Sequence, residues 1–261
     1  MSKAAPTKKI LYVTTEMFPY QEDTSMGNLV NKMALKMHRS GNNDVRVFMP
    51  KFGDISERKF QLHEVIRLSG MNIIINDLDE PLIIKVASLP GERLQVYFID
   101  NEEYFKRKEH YFDEEGNVFP DNNERAVFFA RGVIETIKKL NWVPDVIHIN
   151  GWMSSLIPIY LKTYYKDDSY FADTKIVLSI YNEEDVELGK NTKEILEFDN
   201  ILGLQSSKKP SFLSFVKDSM KYADIVIKGN EFLDDKLNKI FGKAAVEKSD
   251  YLNADSIAKI Y

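Results

Sequence analysis

Short apolar runs alternate with amphipathic stretches along most of the chain. Residues 10–15 (ILYVTT) and 45–49 (VRVFM) predict two strands. Between them, apolar residues recur at positions 29, 30, 33, 34 and 37, the spacing of a helix with one buried face, and Gly41 follows as a helix terminator. A strand, a helix and a strand in this order predict a right-handed βαβ unit with parallel strands.

The middle of the chain follows a different pattern. Residues 65–100 contain three apolar runs separated by Gly, Asp and Pro turns, with no helical stretch between them. This pattern predicts a mixed or antiparallel β-section at an edge of the sheet. Residues 101–119 are polar and aromatic and predict an irregular excursion.

The alternation of strands and helices returns after residue 121. Residues 146–149, 176–180 and 225–227 predict strands, and residues 122–140, 152–164, 212–222 and 231–241 predict helices. Residues 186–209 are the least regular, and we expect them to be partly helical and mobile. The predicted fold is one α/β domain over residues 8–241, with a doubly wound, mostly parallel, Rossmann-like sheet. Residues 242–261 are expected to form a tail.

Composition narrows the class of protein. The chain has 261 residues, of which 44% are hydrophobic and 29% charged, as in globular proteins. A net charge of −5 argues against nucleic-acid binding. There is no cysteine and only four scattered histidines, so we expect no metal site. The N-terminus lacks the apolar run of a signal peptide, and no segment is long enough to span a membrane. We therefore expect a cytoplasmic protein without a membrane partner.

Ligands of open parallel sheets bind beyond the carboxyl ends of the strands. In the first such loop, the small residues Thr24, Ser25 and Gly27 would let an anion approach a helix N-terminus. The neighbouring Glu22 and Asp23 oppose phosphate binding. The structural alternative is that Thr24 or Ser25 caps the helix.

The loop after residues 146–149 holds Asn150 and Trp152, which offer amide hydrogen bonds and a flat apolar wall for a sugar or base. Packing at the start of the next helix is the alternative for Trp152. His148 lies inside the strand and is expected to be a core residue.

After the next strand, Tyr181 and Asn182 precede three acids at 183–185. One of these carboxylates could act as a general acid or base, and a solvated acidic run is the alternative. No Ser-, His- or metal-based catalytic motif is present.

Four blocks of sequence resemble the N-terminal domain of bacterial glycogen synthases and plant starch synthases. They are KKILYVTTEMFPY (8–20), DVRVFMPKFGDI (44–55), FPDNNERAVFFARGVIETIKKLNWVPDVIHINGW (119–152) and SFLSFVKDSMKYADIVI (211–227). The third block is long and collinear with the family pattern. Together the blocks extend the resemblance over about residues 8–241.

The resemblance implies a fold and an activity. Enzymes of this family transfer glucose from ADP-glucose or UDP-glucose to an α-1,4-glucan, in a cleft between two Rossmann-like domains known as the GT-B fold. The resemblance implies that this chain is the N-terminal, acceptor-side half. The C-terminal nucleotide-binding domain of the family is not found in its 261 residues.

Several family motifs are altered. The Lys-x-Gly-Gly-Leu motif, whose lysine meets the donor phosphates, reads Glu22-Asp23-Thr24-Ser25-Met26, and the following helical aspartate is Asn28. The His-Asp-Trp-His motif reads Asn150-Gly151-Trp152-Met153, and a later His-Asn reads Tyr181-Asn182. A carboxylate in place of the lysine repels a diphosphate.

These departures lead to our main hypothesis, a glycogen/starch-synthase-like pseudoenzyme that binds a glucan or a protein partner, without glucosyltransferase activity by itself and without a cofactor. No catalytic residue is expected to be intact. The positions that match the binding motifs are Glu22, Thr24, Ser25, Asn28, Asn150, Trp152, Tyr181 and Asn182.

Two alternatives stay open. A separate C-terminal domain could complete a glucosyltransferase in trans, with ADP-glucose or UDP-glucose as donor. The chain could instead be an interaction scaffold unrelated to carbohydrate.

Overall fold

The computed structural model describes residues 7–251 and 253–261 of the chain. Within them, ten strands form one sheet: β1 (Lys8–Thr14), β2 (Asn43–Pro50), β3 (His63–Glu64), β4 (Met71–Ile75), β5 (Leu78–Ser88), β6 (Gln95–Asp100), β7 (Val146–Asn150), β8 (Lys175–Ile180), β9 (Ile225–Lys228) and β10 (Glu247–Ser249). The strand order is β10-β9-β8-β7-β1-β2-β6-β5-β3, and β4 pairs with β5 outside this path. The predicted doubly wound, mostly parallel α/β fold is confirmed.

The chain leaves β1 in two directions. It first crosses to β2 and β6 on one side, and it later returns to β7, β8, β9 and β10 on the other side, with all of these neighbouring pairs parallel. Right-handed crossovers that run in opposite directions place helices on opposite faces of a sheet. The direction in which the chain adds new strands reverses between β1 and β7. Open α/β sheets bind their ligands at such a switch point.

Along the chain, each helix lies between two successive strands. They are α1 (Ser25–Arg39), α2 (Glu57–Phe60), α3 (Glu102–Phe105), α4 (Asn122–Leu140), α5 (Leu156–Lys162), α6 (Thr192–Phe198), α7 (Phe212–Ser219) and α8 (Asp235–Lys243). The predicted helix at 152–164 is divided into a 3₁₀ turn (Trp152–Ser155) followed by α5. Among them, α4, α5 and α7 pack together beside the crevice.

The mixed section is antiparallel, as predicted, because β5 runs antiparallel to β3, β4 and β6. Residues 65–70 differ from the prediction. They form a turn, and the strand begins only at Met71. The segment 186–209, expected to be mobile, contains α6 and buries Leu188, Ile195 and Ile201 in the core.

Residues 242–261, expected to be a tail, include a strand and further contacts with the sheet. β10 pairs with β9, and Ile257 is buried. The Tyr261 hydroxyl lies 2.9 Å from that of Tyr12 in β1, and Lys8 Nζ donates to the Tyr261 carbonyl at 2.8 Å. These contacts attach residues 253–261 to the centre of the sheet.

Gly151 connects the sheet to the crevice. It follows β7 with φ +87°, and a Cβ at this position would lie 2.3 Å from Thr15 Oγ1. Glycine is required for two reasons: the backbone conformation is left-handed, and the ends of β1 and β7 approach too closely for a side chain.

We predict that Gly151→Ala destabilises the protein by about 3 kcal/mol or more, because left-handed strain adds to a steric clash. Gly41→Ala is the matched control, since Gly41 has φ +74° but a Cβ there would meet nothing within 4 Å. The control should lose only about 1–2 kcal/mol. Urea unfolding measures both variants. Equal losses of stability in the two variants would contradict the close approach of Gly151 to Thr15.

Candidate functional site

The crevice lies beyond the carboxyl ends of β1, β7 and β8. Three loops meet there: residues 15–24, residues 151–155 and residues 181–187. They carry all of the positions that match the family motifs, apart from Ser25 and Asn28 at the start of α1 and Asn150 at the end of β7.

Thr24 is the N-cap of α1. Helix capping is the role that the sequence offered as the alternative to anion binding in this loop. Its Oγ1 accepts from the Gly27 N–H at 3.0 Å and donates to Glu16 Oε2 at 2.5 Å. The Asn28 amide donates to Asp23, and Glu22 and Ser25 are exposed. Residues 16–28 contain three carboxylates and no lysine or arginine. This helix N-terminus is therefore surrounded by negative charge.

Asn150 is buried, and both ends of its amide are used within the protein. Its Oδ1 accepts from the Tyr181 hydroxyl at 2.7 Å, and its Nδ2 donates to the carbonyls of Val13 and His148 at 3.3 and 3.2 Å. The Tyr181 ring packs so closely on Gly229 that a Cβ there would come within 2.5 Å of it. Burial and, to a smaller extent, the charge of Glu183 raise the pKa of Tyr181, so this hydroxyl stays protonated.

Three aromatic rings fill the crevice. Trp152 is buried and stacks on Phe212, with ring centroids 3.8 Å apart and an interplanar angle of 8°. Tyr111, from the irregular segment between β6 and α4, meets Trp152 edge-on at 5.2 Å. The cavity that remains beside Trp152, Tyr181 and Phe212 has a volume of about 10 Å³, close to the minimum for one water molecule.

Glu183 also lines this small cavity. Its Oε2 accepts from the Trp152 backbone N–H at 2.9 Å. Burial raises the pKa of Glu183 to about 8; the nearby Glu16 charge pushes it the same way, and the Trp152 N–H opposes the rise. This carboxyl therefore exchanges a proton near neutral pH, as a general acid or base must.

The acidic run at 183–185 is not uniformly solvated. Glu184 is exposed. Asp185 pairs with Lys236 and accepts from the Leu213 N–H at 3.1 Å. Of the three acids, Glu183 enters the crevice.

Asn182 is exposed and connects two loops. Its backbone N–H donates to Asn230 Oδ1 at 2.8 Å, and its side chain donates to the Phe232 carbonyl at 2.8 Å and accepts from the Asp234 N–H at 2.9 Å. These contacts hold the loop after β8 against the loop after β9, and they occupy the amide.

His148 lies in the core, as expected from its position in the strand. Its Nδ1 lies 2.5 Å from the Tyr261 hydroxyl and its Nε2 lies 2.7 Å from Ser179 Oγ. Burial lowers the pKa of His148 to about 3, so the imidazole is neutral. It is separate from the crevice chemistry.

The described residues hold neither a metal-binding cluster nor a membrane-spanning helix. Among residues 7–251 and 253–261, no group of three or more His, Asp or Glu side chains is placed to hold a metal ion. None of the helices in this part of the chain has the length and apolar character needed to cross a membrane.

A mostly parallel sheet with a crevice at its switch point is the architecture of one Rossmann-like half of the GT-B fold. A profile of the starch synthase catalytic domain matches residues 9–233. The chain therefore belongs to the glycogen/starch synthase family.

Individual relatives agree with this assignment. The glycogen synthase of Chlorobium limicola is 39% identical over 175 residues, which cover 67% of this chain and 36% of that protein. The glycogen synthase of Chlorobaculum parvum is 34% identical over 221 residues, which cover 84% of this chain and 45% of that protein. This chain thus spans less than half of the relatives' length.

The fold has a counterpart of known structure. The catalytic domain of starch synthase IV from Arabidopsis thaliana, bound to ADP and acarbose, matches with a TM-score of 0.71 and 17% identity, over 95% of this chain and 52% of that one. At this identity, the match supports the fold alone.

Sequence reasoning missed three crevice residues, Glu16, Tyr111 and Phe212, and it named the acids at 183–185 as a group without choosing Glu183. Tyr111 and Phe212 come from segments far apart along the chain, and nothing local marks them as partners of Trp152. Glu16 could have been found, since it lies just after β1. Glu183 resembles its two acidic neighbours in sequence, and only the tertiary fold separates them.

We predict that Glu183→Gln stabilises the protein at alkaline pH. The folded-state pKa of Glu183 lies above its ordinary value, so its ionisation weakens folding as pH rises from about 4.5 to about 8. At pH 8 the variant should be more stable than the wild type by on the order of 2 kcal/mol, discounted for partial exposure. The difference should become constant below pH 4.5.

Glu184→Gln is the control, since Glu184 is exposed and adjacent. Urea unfolding between about pH 4.5 and 8 makes the comparison. A stability difference between Glu183→Gln and wild type that does not change with pH would contradict the raised pKa of this carboxyl.

Proposed function

We propose that this domain does not transfer glucose by itself and that it acts by binding, with an α-1,4-glucan as the first candidate ligand and a protein partner as the second. The observation that carries the proposal is the filled crevice. The cavity that Trp152, Phe212, Tyr181 and Glu183 line at the crevice has a volume of about 10 Å³.

Volume is the first argument. Small-molecule sites enclose about 300–1,000 Å³. A sugar nucleotide that entered this cavity would have to displace the Trp152–Phe212 stack, and both residues are almost completely buried. Removing an aromatic residue from a core typically costs about 3–5 kcal/mol. That cost would be subtracted from any binding energy.

Charge is the second argument. The loops that meet at the crevice carry Glu16, Glu22, Asp23 and Glu183, and none of the residues that line the cavity is basic. Two unit charges about 4–6 Å apart repel by roughly 3–4 kcal/mol at an effective dielectric constant of about 20. Transfer of a glucosyl group also needs cations or dipoles to stabilise the leaving diphosphate.

Family membership supports the choice of glucan as ligand. The relatives are named glycogen synthases, and the solved starch synthase holds acarbose. A domain that kept the family scaffold while its crevice filled could retain contact with glucan through its outer surface. No catalytic residue is assigned under this proposal, and no cofactor is required.

The transfer reaction tests the proposal. We expect no incorporation of radiolabelled glucose into glycogen from ADP-glucose or UDP-glucose by the purified chain, because the donor has neither space nor positive charge in the crevice. The glycogen synthase of Chlorobium limicola, assayed in parallel, is the positive control. Sustained incorporation that is proportional to the concentration of this chain would contradict the proposal.

A further inference from the structure

A second concave surface lies between the end of α7 and α8, outside the crevice. This groove has a volume of about 530 Å³, and none of its residues lines the crevice cavity. It is lined by Lys217, Met220, Lys221, Lys239, Ile240, Lys243, Ala244, Ala245 and Val246.

The floor of the groove is apolar. Met220 is buried, Ile240 and Val246 are partly exposed, and Ala245 is exposed. Ile240 and Val246 pack on the main core from outside. The floor is therefore a hydrophobic surface that the protein itself does not fully cover.

The rim is basic. Lys217, Lys221, Lys239 and Lys243 are all exposed. Within the described part of the chain, Lys221 forms an ion pair with the buried Asp218 at 2.7 Å, and the other three rim lysines form none. The chain as a whole carries a net charge of −5, so this rim is a local reversal of sign.

The lysines are also regularly spaced. On each side of the groove, two lysines lie four residues apart: 217 and 221 at α7, and 239 and 243 on α8. On α8, four residues correspond to about one helical turn, or roughly 6 Å along the axis, whereas Lys221 lies in the turn that follows α7. A ligand that pairs with both sides needs negative charges on both edges of an apolar strip.

We propose that this groove docks an acidic amphipathic helix of a partner protein. Its apolar stripe would lie on Met220, Ile240 and Val246, and carboxylates one turn apart on both flanks would pair with the four lysines. Helix-in-groove recognition uses this arrangement of anchors, with flanking charges that set orientation and partner. The proposal is independent of whether the crevice is active.

A synthetic helix tests the proposal on the full chain. The probe is a fluorescein-labelled peptide of about 18 residues, with leucines at i, i+3, i+4 and i+7 and glutamates on both flanks. A peptide of the same composition, permuted to spread its leucines around the helix, is the control. We expect the first peptide to bind in fluorescence anisotropy at low salt, more weakly at high salt, and roughly tenfold more tightly than the permuted peptide.

Charge reversal locates the site. Lys217→Glu with Lys221→Glu, and Lys239→Glu with Lys243→Glu, should each weaken binding by about tenfold or more. Lys162→Glu with Lys166→Glu is the matched control, because these lysines are also exposed and four residues apart but lie outside the groove. That control should bind as the wild type does.

Three results would overturn the proposal. In the first, the groove variants bind the peptide as tightly as wild type, or the permuted peptide binds as tightly as the helix. In the second, decanoate, an anionic amphiphile without helical spacing, competes for the groove as well as unlabelled peptide does. In the third, sedimentation shows a dimer that the groove variants abolish, which would assign the groove to a second copy of the chain.

Discussion

The stack of Trp152 on Phe212 determines what the crevice can do. Both rings are buried and almost parallel, and the Trp152 backbone N–H holds Glu183 beside them. The cavity beside the stack has a volume of about 10 Å³. The stack also surrounds the Glu183 carboxyl with apolar groups, which is why its pKa is raised to about 8.

The rest of the scaffold supports this closure. The close approach of Gly151 to Thr15 joins the ends of β1 and β7, and the hydrogen bond from Tyr181 to Asn150 joins β7 to β8. Asn182, the residue after Tyr181, connects the loop after β8 to the loop after β9. These contacts therefore join the strand ends and loops around the crevice, and the protein's own side chains occupy the crevice.

Periodicity predicted the fold because strands and helices of this kind leave strong local patterns. The parallel strands, the antiparallel section and the core position of His148 all follow from alternation and turn residues. The turn at 65–70 was missed because its apolar residues resemble a strand. The filling of the crevice was not predictable, since Tyr111, Trp152 and Phe212 come together only through tertiary packing. Loss of the family lysine at Glu22 was visible in the sequence, whereas the burial of Glu183 was not.

A calorimetric titration of the full chain with ADP-glucose and with maltoheptaose, side by side at neutral pH, tests the central claim most directly. The filled, acidic crevice predicts no heat of binding for ADP-glucose at concentrations below about a millimolar, and measurable binding of the uncharged glucan. Saturable binding of ADP-glucose at micromolar concentrations would show that a diphosphate sugar enters beside Trp152 and Glu183, and would contradict the account.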